Sequence, residues 1–118
     1  MNAAQLKTRT KRFGLQTIRL VQSLPRTQGA TVIGNQLLLS GTSVGANYRS
    51  ACRARSKPEF ISKSSVALEE ADESVYWMEL LVEGGLAPAA ELNVLIKEGN
   101  ELVAILTASV KTARANLK

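Results

Sequence analysis

The chain has no histidine and a single cysteine, Cys52, among its 118 residues. The first absence removes the commonest general acid–base and the commonest transition-metal ligand. The second excludes an internal disulfide and is compatible with a reducing, cytoplasmic setting. Aromatic residues are scarce. Phe13, Tyr48, Phe60, Tyr76 and Trp77 do not form the interleaved basic–aromatic platform on which single-strand binders stack bases. No run of ~18 apolar residues occurs, so no membrane span is expected. The basic opening MNAAQLKTRTKRF lacks the apolar run and cleavage site of a secretion signal. Most telling is where acid is missing. Residues 1–58 hold ten Lys or Arg and no Asp or Glu, whereas residues 59–118 hold five and ten. The net +5 is therefore +10 in one half and −5 in the other. Such asymmetry suggests a polyanionic partner, or opposite halves meeting in an assembly or pairing within one fold.

What is present reads as helices. Leu6, Thr10, Phe13, Thr17, Leu20 and Leu24 recur at three- and four-residue steps, widened by Ile18 and Val21, until Pro25 stops the pattern. Ile33, Leu37, Ser40, Val44, Asn47 and Ala51 share a second face. Ser56, Pro58 and Glu59 then form a strong start signal: an N-cap, a first-turn proline and a capping-box glutamate. Ile61, Ser64, Leu68, Ala71, Val75, Met78 and Val82 make a third stripe, ended by Gly84 and Gly85. After Pro88, Leu92, Leu95, Gly99, Leu102, Leu106 and Val110 make a fourth, running to a basic end at Lys111, Arg114 and Lys118. The expectation is one all-α domain with helices over about 4–24, 29–55, 57–83 and 88–115. Short connections make sequential helices antiparallel neighbours, so the predicted fold is an up-down-up-down four-helix bundle.

The second helix is unusual in having almost no side-chain bulk on part of its surface. Ser40, Gly41, Ser43, Gly45, Ala46, Asn47, Ser50 and Ala51 lie in one stretch, and each mid-helix glycine costs ~1 kcal/mol relative to alanine. Close approach of another backbone, from the same chain or a neighbouring subunit, would offset that cost. The third helix carries more apolar and aromatic positions than one stripe needs. Tyr76, Trp77, Leu80 and Leu81 lie off or at the edge of its face, and an exposed aromatic patch marks an interface. Self-association through these two helices is expected. Ser43, Asn47, Glu70, Glu73 and Ser74 would supply a polar network that sets register and partner choice.

Catalysis has little to work with. Glu70 and Glu73 are the candidate acid–base or metal-ligating pair, but no carboxylate–histidine motif faces them. The glycines of IGNQLLLSG lack the order of a phosphate loop. Cys52 lies near Arg49, Arg53 and Arg55, yet a lone small cysteine on a helix is ordinarily a packing residue. No enzyme, cofactor or metal is expected.

The stretch from Leu37 to Leu81 resembles the four-helix-bundle family named for proteins encoded in intervening sequences of bacterial 23S ribosomal RNA, which includes the accessory variability protein of diversity-generating retroelements. The shared pattern is a leucine-rich turn and Ser-x-x-Ser-x-x-x-Asn (Ser40, Ser43, Asn47), then a helix start at Ser56 to Phe60. It continues as Leu-Glu-Glu-x-x-Glu-Ser-x-Tyr-Trp from Leu68 to Trp77. Leu24 and Pro25 also sit where the family ends its first helix. The resemblance implies a homopentameric ring or barrel. For retroelement members it implies binding of nucleic acid and of a reverse transcriptase.

Basic residues are the remaining functional candidates. Lys7, Arg9, Lys11, Arg12 and Arg19 stud the first helix, Arg26 follows it, and Arg49, Arg53, Arg55 and Lys57 crowd the end of the second. Repeated around an oligomer they would bind phosphates of structured RNA, or of another nucleic-acid intermediate, with little sequence discrimination. Arg49 and Arg53 have an alternative use, pairing with Glu69, Asp72 or Glu73 of the third helix. The rival expectation is a scaffold that docks an acidic protein and ignores nucleic acid.

Overall fold

The computed structural model describes residues 1–117 and consists of four helices: α1 (Ala3–Gln22), α2 (Gln28–Cys52), α3 (Lys57–Glu83) and α4 (Ala89–Ala115). Lys118, placed at the basic end of the last helix, lies outside the described residues. The molecule measures 50 × 20 × 19 Å, the shape of long helices lying side by side. α2 packs between α1 and α3, and α3 between α2 and α4, while α1 and α4 meet along a thinner seam. No helix among the described residues is long and apolar enough to cross a membrane.

Local chemistry accounts for the helix ends. Asn2 Oδ1 accepts from the Gln5 N–H at 2.8 Å and Gln5 Oε1 accepts from the Asn2 N–H at 3.0 Å. This reciprocal box satisfies two otherwise orphaned donors and starts α1 one residue before the expected position 4. At the other end the Ser23 N–H and hydroxyl both donate to the Leu20 carbonyl. With Pro25 unable to continue the ladder, α1 stops at Gln22 rather than residue 24. α2 stops at Cys52, three residues short of the expected 55, where the Arg53 N–H turns back to Ser50 O at 3.1 Å. Ser56 Oγ then accepts from the Glu59 N–H at 3.2 Å and opens α3. Among the described residues the returning half of that expected capping box is not made, and the Glu59 carboxylate lies 3.7 Å from Arg55. Gly85, at φ +65°, turns the chain between α3 and α4.

Phe13, Leu37, Met78, Leu81, Leu92, Leu102 and Leu106 are fully buried at the centre. On α4 the buried set is Leu92, Leu95, Gly99, Leu102, Leu106 and Val110. On α2 and α3 the buried arc is wider than one stripe. Gly34, Gly41 and Tyr48 join it on α2, and Ala67, Ser74 and Leu81 on α3. Ile33, Asn47, Leu68 and Val82 are only half-buried. The cause is position: each of these helices is flanked on two sides, so it buries toward two neighbours at once.

Gly41 and Gly45 of α2 face α1 of the same chain. A Cβ on Gly41 would lie 2.6 Å from Thr17 side-chain atoms, and one on Gly45 would lie 3.2–3.3 Å from the backbone of Thr10 and Lys11. Thr10 and Thr17, buried on α1, donate back to Leu6 O (2.9 Å) and Phe13 O (2.8 Å). Their hydroxyls are thereby satisfied, so the Thr17 side chain can lie against Gly41 and the Thr10 backbone against Gly45.

Candidate nucleic-acid interface

Because Leu6, Thr10, Phe13, Thr17 and Leu20 turn α1 toward the core, Lys7, Lys11, Arg12 and Arg19 are left on its exposed side. Lys7 and Lys11 are one helical turn apart. The glycine-mediated approach of α1 to α2 leaves an open groove of about 380 Å³ between them. Lys7 and Lys11 stand on its α1 side, Arg49 stands on its α2 side, and Gly14, Gly45 and Ala46 lie between. A second shallow depression, of about 340 Å³, runs along the α1 surface past Thr8, Lys11, Arg12, Gln16 and Arg19. Cations expected on two separate helices thus border one continuous surface. Arg53 and Arg26 are exposed at the end of α2 and in the α1–α2 connection.

Two expected phosphate ligands are engaged elsewhere, and a third lies beside a carboxylate. Arg9 is held by α4: its Nε donates to Glu98 Oε2 at 2.7 Å, and Nη2 donates to Glu98 Oε1 at 2.7 Å and Glu101 Oε1 at 2.9 Å. The Glu98 bond, opposed by burial and aided by Glu101, raises the guanidinium pKa above its ordinary value. A two-carboxylate fork on a half-buried arginine is a clamp between α1 and α4. Lys57 Nζ donates to Asn116 O at 2.8 Å, tying the start of α3 to the end of α4. Arg55 lies near Glu59, but as an exposed side chain in a 3.7 Å pair it gains little. Neither Arg49 nor Arg53 forms an ion pair with Glu69, Asp72 or Glu73 among the described residues.

The expected polar network between α2 and α3 is mostly local. Ser43 Oγ donates to Leu39 O at 2.6 Å and Asn47 Nδ2 to Ser43 O at 2.8 Å, both within α2. Ser74 donates to Glu70 O at 2.8 Å, and a 3.0 Å hydroxyl–hydroxyl bond joins it to Ser40 across the helix pair. Ser40 belonged to the predicted core stripe, and its part in this bond follows only from the register of α2 on α3. Neither the Glu70 nor the Glu73 side chain has a hydrogen-bond partner among the described residues. Burial first, then the neighbouring Glu73 and Glu69, push the Glu70 carboxyl above its ordinary value. Tyr76 is 53% exposed and meets Trp77 edge-on, with ring centroids 5.1 Å apart, while the Trp77 Nε1–H is buried without a partner among the described residues. Leu81, placed with this patch from sequence, is instead fully buried in the core. Tyr48 is also core, its phenol pushed up to about 12 by burial and by the adjacent Cys52.

α2 also has an outward apolar face that lies outside its core stripe. No charged residue occurs from Gln28 to Tyr48, yet Val32 and Leu39 are 57% and 65% exposed. Its signal in the sequence is a long uncharged stretch in a charged chain, which the periodicity of the core stripe does not reveal.

Comparison with known proteins agrees with this architecture. A family model described as 23S rRNA-intervening sequence protein matches residues 4–108. A solved structure of a protein with unknown function, from the S23 ribosomal protein family of Bacteroides thetaiotaomicron, superimposes with a TM-score of 0.87 at 32% sequence identity. That match covers 94% of this chain and 99% of the other. No curated protein matches the chain.

Proposed function

The chain belongs to the 23S rRNA-intervening sequence protein family, and we propose that it is a non-enzymatic, basic homo-oligomer that binds nucleic acid. Structured RNA is the proposed ligand class, with a reverse transcriptase or ribonucleoprotein as its larger partner and the cytoplasm as its setting. One observation carries the reading. Once internal contacts are formed, Lys7, Lys11, Arg12, Arg19 and Arg49 remain exposed on one side of the bundle without a carboxylate partner among the described residues. Cations arranged so attract a phosphate backbone, and copies of the chain would multiply the field.

The assembly is part of the same proposal. Contacts that pair Thr10 with Gly45, Thr17 with Gly41 and Leu24 with Gly34 support an up-down-up-down order. The uncharged outer face of α2, with Val32 and Leu39 exposed, and the half-covered Tyr76–Trp77 pair support self-association. Different faces meeting head to tail close into a ring when the rotation permits, and five copies is the number the family resemblance implies.

The test is fluorescence anisotropy of labelled structured RNA, duplex DNA and single strands against protein sized by light scattering, across a salt series. The expected result is binding with a steep negative dependence of log affinity on log salt, whose slope counts the phosphates engaged. An oligomer that ignores every nucleic acid at low salt would overturn the proposal and favour the scaffold for an acidic protein.

A further inference from the structure

The groove between α1 and α2 is not uniform along its length. Lys7, Lys11 and Arg49 border one end, and Leu15, Ile18 and Thr42 border the other. The order follows from the pairing of the helices, since Gly45 sits against Thr10 while Gly14 sits against Gly41 and Thr42. An occupant that matches has an anionic group joined to a less polar body of modest size. The volume, about 380 Å³, lies toward the small end of ligand pockets, which run roughly 300–1,000 Å³.

From this gradient we infer that the groove takes a segment of a single nucleic-acid strand, with phosphate held by Lys7, Lys11 and Arg49 and the sugar–base portion laid against Leu15 and Ile18. The inference rests on the nucleic-acid reading above and narrows it. A single strand suits the groove better than a duplex, because only an unpaired nucleotide is free to turn its sugar–base portion onto Leu15 and Ile18. The groove lies between two directly packed helices, whose axes are typically ~8–10 Å apart or less where glycines face each other. Paired regions of an RNA would meet the outer Lys11–Arg12–Arg19 surface of α1, and unpaired segments the groove. The groove offers no aromatic ring, so the strand is held by charge and apolar contact without base stacking, and sequence preference is weak. Leu15 is 46% exposed; a sugar or base face would cover it.

Ala46 stands exposed at the rim, so a large side chain there fills the groove without changing charge or entering the core. The experiment measures binding of labelled oligouridylate and of a blunt RNA duplex by wild-type, Ala46→Trp, Arg49→Gln and Arg19→Glu proteins at equal salt. Oligomer size and melting temperature are recorded for each. The expected result is a loss of about tenfold or more in strand affinity for Ala46→Trp and Arg49→Gln with duplex affinity nearly unchanged, whereas Arg19→Glu weakens the duplex more. Equal losses on both ligands, or none, would overturn the groove assignment while leaving the nucleic-acid reading in place. Wild-type protein that binds neither ligand would overturn both. If Ala46→Trp instead reduces the oligomer to monomers, the groove is a subunit contact and the assignment fails, unless Arg49→Gln, intact in size, still separates strand from duplex.

Discussion

The α1–α2 pair and the α3–α4 pair solve the same packing problem in opposite ways. Between α1 and α2 the contact is made of small residues: Gly14, Gly41 and Gly45 against Thr10 and Thr17. Helices three and four supply large side chains, with Met78, Leu81, Leu92, Leu102 and Leu106 fully buried. Their surfaces differ as well. The first pair exposes cations and an uncharged face, while the second carries every carboxylate in the chain. A small-residue contact is stabilised by close approach and dispersion over short distances, and it leaves long polar side chains free at its edges. A large-residue contact is stabilised by area removed from water. The helix pair with the glycine-lined contact is therefore the pair that leaves its cations free outside.

Substitutions of opposite sense should expose that difference. Leu102→Ala would open a cavity in the second pair and cost about 2–5 kcal/mol. Gly41→Val would overfill the first pair against Thr17 and cost about 1–3 kcal/mol. Denaturant unfolding measures both, and removing the Thr17 side chain should recover part of the Gly41→Val loss while leaving Leu102→Ala unrelieved. Equal relief in the two backgrounds would show that the contacts are not distinct.

A smaller effect separates structural from functional cations on α1. Arg9→Gln would lose the fork to Glu98 and Glu101 and cost about 1–2 kcal/mol of stability, as expected for charged hydrogen bonds at a half-buried site. RNA affinity should be nearly unchanged. Lys11→Glu with Arg12→Glu should do the reverse, leaving stability within about 0.5 kcal/mol, as is usual for surface substitutions. An Arg9→Gln protein that folds normally but loses RNA binding would return Arg9 to the phosphate ligands.

The smallest effect concerns pH. Glu70 holds its proton more tightly in the folded chain than at the ordinary value of 4.5. The folded state therefore binds more protons than the unfolded state between the two values, and stability falls as pH rises through that window. Glu70→Gln should flatten this part of the stability–pH profile and raise the neutral-pH melting temperature slightly. A profile steepened by the substitution would reverse the assignment.

The helical architecture was legible because its signals are local. Ser56 and Pro58 mark a start within a few residues, and Leu92 to Val110 repeat at a period that only a helix satisfies. The termini of α1 and α2 were less so. Turn-closing bonds at Ser23 and Arg53 compete with periodicity that would carry the helices further. The candidate site was legible as a set of residue types and a charge imbalance, but not as a surface. Arg9 and Lys11 look alike in sequence, two positions apart on one basic helix. Nothing local says that one turns to α4 and the other to solvent.

By itself the sequence determined the four helical segments, the split of charge between the halves, and the absence of histidine chemistry. Each of these is a property of neighbours within a few residues or of composition. Tertiary structure alone decided that the glycines of α2 meet α1, that Ser40 bonds to Ser74, and that Arg9 is spent on Glu98 while Arg49 joins Lys7 and Lys11 around a groove. Such pairings, with the Arg9–Glu101 bond beside them, reach across as many as 92 positions. They depend on the register and rotation of whole helices, which the packing of the entire core sets.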